Sequence, residues 1–172
     1  MKKTILAGLI ISSVAMAGES GLYIGAEVGA TRIGASDGVD GNVKSNSSSF
    51  AVNGGYYINQ NSRAYIAYQS IAKGDFASRT NVYSAGYDYL FGTTSFKPFV
   101  GAILAYSNYK YGGYEIKGMG YGAQIGVDYT LNNNFSVDAG YRYLASNADD
   151  SRYYNADMDS FQTYFIGANY KF

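Results

Sequence analysis

Beyond its first 17 residues the chain shows no convincing helical period; apolar and polar positions alternate with a period of two, the pattern of strands whose faces meet different surroundings. Gly118–Thr130 is the cleanest case. Met119, Tyr121, Ala123, Ile125, Val127 and Tyr129 share one face, and Gly118, Gly120, Gly122, Gln124, Gly126 and Asp128 the other. Gly21–Thr31 sets Leu22, Ile24, Ala26, Val28 and Ala30 against Tyr23, Gly25, Glu27, Gly29 and Thr31. Six more segments follow the rule: Ser49–Ile58, Arg63–Ala72, Thr80–Phe91, Lys97–Ser107, Phe135–Ala145 and Ser160–Phe172. The expectation is an all-β chain of eight antiparallel strands.

The apolar faces carry large aromatics at their ends and small aliphatics in their middles, while the opposite faces carry isolated charges and most strand glycines. Small residues suit the narrow interior of an eight-stranded barrel, which side chains fill. An outward apolar band with aromatic rims is what lipid demands, and strands of about 10 residues cross a bilayer at a tilt. The pattern therefore predicts a closed up-and-down transmembrane barrel, which leaves no unpaired edge in lipid.

Connection lengths agree with this. Gly34–Ser48, Asn108–Lys117 and Ser146–Asp159 read as long loops and Lys73–Arg79 as a medium one, all after odd-numbered strands. Asn59–Ser62, Gly92–Phe96 and Leu131–Asn134 read as short turns after even-numbered strands. Short periplasmic turns and longer outer loops are the barrel rule, so both termini are expected on the periplasmic side. Tyr56, Tyr89, Phe91, Tyr129, Phe135, Tyr170 and Phe172 then fall at one rim, and Tyr68, Tyr83, Tyr106, Tyr121, Tyr143 and Tyr164 at the other.

The opening MKKTILAGLIISSVAMA reads as an export address: Lys2 and Lys3, an apolar stretch from Ile5 to Val14, and Ala15-Met16-Ala17 as the cleavage site. Residues 1–17 are expected to be a signal peptide and residues 18–172 the barrel domain. Removing Lys2 and Lys3 from 13 basic residues leaves 11 against 13 acidic ones, a net charge of −2. That balance offers no broad basic surface for nucleic acid. The chain has no Cys and no His, so it lacks disulfides, thiolate metal sites and the commonest general base.

With alternation, address and connection pattern in place, the chain resembles the eight-stranded outer-membrane β-barrel family, which includes the transmembrane part of outer-membrane protein A and the small opacity-type, porin-like surface proteins. The likeness rests on Ala15–Ala17, on the KPFVGA stretch at Lys97–Ala102 and on the ending Tyr170-Lys171-Phe172. It implies a bacterial outer-membrane location, lipid and the barrel-assembly machinery as partners, and a monomer. Tyr170 and Phe172 look like the signal which that machinery reads. Lipid A deacylases and omptin proteases of similar architecture use His, which is absent here, so their mechanisms do not carry over.

Two clusters are candidates for chemistry. Glu27, Arg63, Asp88, Lys97, Asp128, Asp138, Arg142 and Lys171 are expected to face the lumen, where ionised groups must be paired or hydrated. A salt-bridge plug is the expectation, with a narrow ion path as the alternative. Asp149, Asp150, Arg152, Tyr153 and Tyr154 form an acidic, aromatic stretch between the last two strands, a possible contact patch. With Asp157 and Asp159 nearby this stretch is rich in carboxylates, which suit weak Ca²⁺ binding, but it lacks EF-hand spacing. No catalytic residue, cofactor or metal site is expected. The leading reading is a non-enzymatic barrel with a structural or adhesion-like role through its four outer loops. A narrow porin-like channel is the runner-up, and an envelope-lipid-modifying enzyme comes third.

Overall fold

The computed structural model describes residues 21–37, 41–72, 80–111, 114–148 and 156–172. They form a closed barrel of eight antiparallel strands, each paired with its neighbours in chain order. The strands are β1 (Gly21–Asp37), β2 (Gly41–Asn59), β3 (Ser62–Ile71), β4 (Thr80–Leu90), β5 (Phe96–Tyr111), β6 (Tyr114–Thr130), β7 (Phe135–Ala148) and β8 (Ala156–Lys171). Pairing of β1 with β8 closes the cylinder, with Tyr23 opposite Lys171 and Thr31 opposite Thr163. Gly21 and Phe172 share one end with the short turns, here called the terminal end. The other is the hairpin end.

At the terminal end two of the turns are closed by asparagine side chains, which bond to the backbone two or three residues on. Asn59 Oδ1 accepts from the Asn61 backbone N–H at 2.8 Å, and Asn132 Oδ1 accepts from those of Asn134 and Phe135 at 2.9 Å each. Gly92 adopts φ +90°, which a side chain would resist.

The hairpin end departs from expectation. Most of Gly34–Ser48 is strand: β1 runs to Asp37 and β2 starts at Gly41, with Asp37 opposite Gly41. Likewise β5 and β6 reach Tyr111 and Tyr114, which pair, and β7 and β8 take in much of Ser146–Asp159, Asp157 and Asp159 included. Backbone hydrogen bonds to a neighbour already in register extend a hairpin without side-chain alternation. The Gly, Ser and Asn content therefore lowered strand propensity without preventing pairing.

The face assignments hold for all eight strands. The faces grouped as apolar point outward, where Ile66, Leu104 and Met119 are 70%, 67% and 71% exposed. A contiguous apolar surface of this kind is foreign to a water-soluble monomer and natural against lipid. Aromatics flank it: Tyr89–Phe91, Phe135–Tyr170 and Tyr170–Phe172 pack edge to face at about 5 Å at the terminal end. Tyr68–Tyr83 and Tyr141–Tyr164 pack at 5.2 and 4.9 Å toward the hairpin end. No helix of the described residues is long and apolar enough to cross a membrane, which says nothing of strands.

Candidate functional site

The site is the barrel interior. One register row runs round it: Tyr57, Arg63, Asp88, Gly101, Gln124, Arg142 and Thr163 face one another in turn on β2 to β8. Because neighbours in an antiparallel sheet point to the same side, this row sets both arginines and their partners at reach of each other. Arg63 Nε donates to Asp88 Oδ2 at 2.8 Å, Nη2 to Asp138 Oδ2 at 3.3 Å and Nη1 to Asp128 Oδ2 at 3.5 Å. Arg142 Nη2 donates to Glu27 Oε2 at 3.1 Å, and its Nε to Gln124 Oε1 at 2.9 Å. Gln124 Nε2 donates to Asp88 Oδ1 at 2.8 Å, which joins the two ion clusters into one network. All of these residues are buried.

Aromatic rings cover the guanidinium groups. Arg63 lies 5.0 Å from the Phe99 centroid and 5.8 Å from that of Tyr23, and Arg142 lies 4.8 Å from that of Phe165. Desolvated cation–ring contacts of this kind are worth up to about 2 kcal/mol. Glycines supply the room: a Cβ on Gly86 would overlap the Tyr65 ring, and one on Gly101 the Asp88 carboxylate.

On the hairpin side Thr31 Oγ1 shares hydrogen bonds with Thr163 at 2.9 Å and Ser49 at 3.0 Å. Beyond it Ile71, Val82, Ile103, Ala105, Leu144 and Phe161 form a buried apolar cluster. Toward the terminal end the lumen opens into a vestibule of about 740 Å³ lined by Tyr57, Lys97, Asp128, Asn169 and Lys171 among others. Lys97 Nζ donates to the Gln60 carbonyl at 3.1 Å, and Lys171 Nζ stands 5.2 Å from the Tyr57 ring centroid.

All eight charges expected in the lumen therefore lie on the inward face, and six of them meet in one network, with Lys97 and Lys171 at its mouth. Sequence reasoning passed over Gln124, Asn53 and Asn169, the polar links, and Tyr23, Phe99 and Phe165, the covering rings. Their inward parity was visible, but the partner each one meets is set by the register between strands. Asp149, Asp150, Arg152, Tyr153 and Tyr154 lie outside the described residues. Tyr170 and Phe172 point outward at the terminal rim. Among the described residues no group of three His, Cys, Asp or Glu side chains is placed to hold a metal ion.

The profile of the outer membrane protein beta-barrel domain family matches residues 4–172. The chain belongs to that family. Among solved structures it is similar to Neisserial surface protein A, at 26% identity and a TM-score of 0.66 over 89% of this chain and 99% of that one. Outer membrane protein H of Pseudomonas aeruginosa shares the fold at 22% identity and a TM-score of 0.59, over 88% of this chain and 99% of that one. Outer membrane protein OprG of Pseudomonas aeruginosa does so at 15% identity and 0.56, over 90% and 97%. No curated protein matches the sequence. The outward apolar band is the surface turned toward the outer membrane.

Proposed function

We propose that this family member is a non-enzymatic, monomeric anchor in the outer membrane, with its terminal end in the periplasm and its four hairpin-end connections making contacts outside the cell. In this reading residues 1–17 are removed on export, and the stretch Asp149–Tyr154 is the leading contact patch. Outward Tyr170 and Phe172 serve as the mark for the assembly machinery.

The observation that carries the reading is the filled lumen. Arg63 and Arg142 bridge strands across it, and the apolar cluster around Phe161 blocks its hairpin half. A ligand or solute therefore finds its contacts on the outer connections rather than inside. The vestibule favours a second reading, a narrow channel, because it carries solvent as far as Asp128.

Planar-bilayer recordings of the refolded barrel separate the two. The plugged barrel gives a quiet membrane; steady single-channel steps would establish the channel instead. Replacing the connections around residues 38–40, 73–79, 112–113 and 149–155 one at a time, in a screen against cell-surface and matrix components, should then abolish binding through one of them. Binding that survives all four replacements would reject the surface-contact role.

A further inference from the structure

Among the described side chains one charge, Arg32, stands on the outward face; the other described charges point into the lumen or its mouth. Arg32 is exposed, and on β1 it has the parity of Ile24, Val28 and Ala30, which lie on the outward apolar band. Its height explains how a cation is tolerated there. Leu22 lies at the terminal rim opposite Tyr56, and Arg32 is ten residues further along β1. At about 3.3 Å per residue and a strand tilt of about 40°, the rise is about 25 Å, the full height of an outer-membrane apolar band. Arg32 thus stands at the level where acyl chains give way to headgroups.

The residues beside it change in step. In register across β2, β1 and β8, Phe50, Val28 and Ile166 make an apolar outward row. Two residues on, Ser48, Ala30 and Tyr164 make a mixed row, with Tyr164 packed on Tyr141 at 4.9 Å. Two further, Asn46, Arg32 and Gln162 make a polar one. This passage from aliphatic through tyrosine to amide and guanidinium takes about 13 Å of strand and follows the passage from acyl chain to headgroup. The opposite rim differs: its outward side carries Tyr56, Phe91, Phe135 and Phe172 and, among the described side chains, no charge.

Arg32 is held but not neutralised. Its Nε donates to Asn46 Oδ1 at 3.3 Å, and among the described residues no carboxylate pairs with it. That bond fixes the guanidinium plane beside β2 and leaves both Nη groups as donors. With its Oδ1 engaged, Asn46 offers its Nδ2 as a further donor on the same exposed face. A planar fork of N–H groups matches two oxygens of a phosphate at once. A cation at headgroup level without a protein counter-charge, beside neutral amides, is complementary to such a group.

We propose that Arg32, with Asn46 and Gln162 beside it, binds the phosphate of a phosphorylated lipid in the outer leaflet, whose acyl chains lie against Val28 and Ile166. The choice of leaflet rests on the reading above, in which the hairpin end is outside; recognition of the phosphate does not. The lipid straddles the pairing of β1 with β8 that closes the barrel. The site is independent of whatever the outer connections contact.

The test uses the full barrel refolded in a non-ionic detergent, where orientation plays no part. It is titrated with diphosphorylated lipid A and with the same lipid stripped of phosphate, and bound lipid is counted by native mass spectrometry. The wild type should bind the phosphorylated form at least about ten-fold more tightly. Arg32→Gln should lose that preference while binding the phosphate-free form as before, and Arg32→Lys should keep part of it. The hydrogen bond lost in either variant is an exposed one, so both should fold, which heat-modifiable gel migration checks. Equal affinity of the wild type for the two lipids, or an undiminished preference in Arg32→Gln, would overturn the proposal. So would a soluble sulfated polysaccharide that displaces lipid A from the wild type and fails to bind Arg32→Gln, since Arg32 would then serve a polyanion from solution. Labelling of Asp40→Cys on intact cells reads the orientation separately. A site shielded from the reagent would reject the hairpin end as the outer one, and with it the leaflet, whatever the lipid titration gives.

Discussion

Asp88 and Gln124 meet over Gly101: the two residues stand on β4 and β6, and their side chains close a 2.8 Å hydrogen bond above the glycine of the strand between them. This contact turns two ion clusters into one network. It explains why a glutamine is buried among charges, since its amide presents a donor to Asp88 and an acceptor to Arg142.

Gln124→Leu should therefore be costly despite similar bulk. It strips Asp88 Oδ1 and Arg142 Nε of buried partners at once, a loss of about 2–4 kcal/mol. Urea unfolding in lipid vesicles measures it. A change below roughly 0.5 kcal/mol, the scale of a surface substitution, would mean that water replaces the amide freely.

Arg63 reaches Asp88, Asp128 and Asp138 at once. Its replacement by Met leaves buried carboxylates without a counter-charge, for which about 3–5 kcal/mol is expected. Adding Asp88→Asn to Arg63→Met should recover part of that loss. Asp88→Asn alone should destabilise. A double-mutant cycle in the same unfolding assay gives the coupling, and strictly additive losses would contradict the direct pairing.

Glycines on the two faces should respond in opposite directions to alanine. At Gly101 a Cβ would lie 2.9 Å from the Tyr87 carbonyl oxygen and overlap the Asp88 carboxylate. Gly101→Ala should cost about 1–3 kcal/mol. At Gly54 the nearest atom is the Tyr23 carbonyl oxygen at 3.8 Å, so Gly54→Ala should be neutral or gain about 0.5–1 kcal/mol through reduced chain entropy. Thermal midpoints of the two variants in one detergent check the contrast.

Phe172 separates assembly from stability. Its backbone N–H donates to the Leu22 carbonyl at 3.0 Å, a bond that Phe172→Ala retains, while its ring is outward and packs edge to face on Tyr170. The variant should refold in detergent with a stability change of about 1 kcal/mol or less. If the ring is read during biogenesis, the amount inserted into the outer membrane of cells should fall well below wild type. Equal insertion of both proteins would remove Phe172 from the assembly signal.

Alternation alone told which way each side chain in the strand centres points, because in a pleated strand parity along the chain is the side of the sheet. Asp128, Asp138 and Arg142 were legible as inward residues on that ground, and so was Gly101. The extent of the hairpin end was not legible. Residues such as Asn42 and Gly41 carry no strand signal of their own and pair because Ser36 and Asp37 are held opposite them.

The partnerships inside were decided by the tertiary structure. Arg63 is 75 residues from Asp138 and Arg142 is 115 from Glu27, and no local spacing relates them. The aromatic rings illustrate the same divide. Phe99 and Phe165 resemble the rim aromatics in type, yet their parity turns them inward, Phe99 reaching Arg63 from two strands away and Phe165 reaching Arg142 from the neighbouring β8. The strands and their sidedness were legible along the chain, since both follow from a period of two. The register round the closed cylinder decided which buried charges neutralise which, because a Coulomb contact in a low-dielectric interior depends on ångström distances between strands that the chain order does not encode.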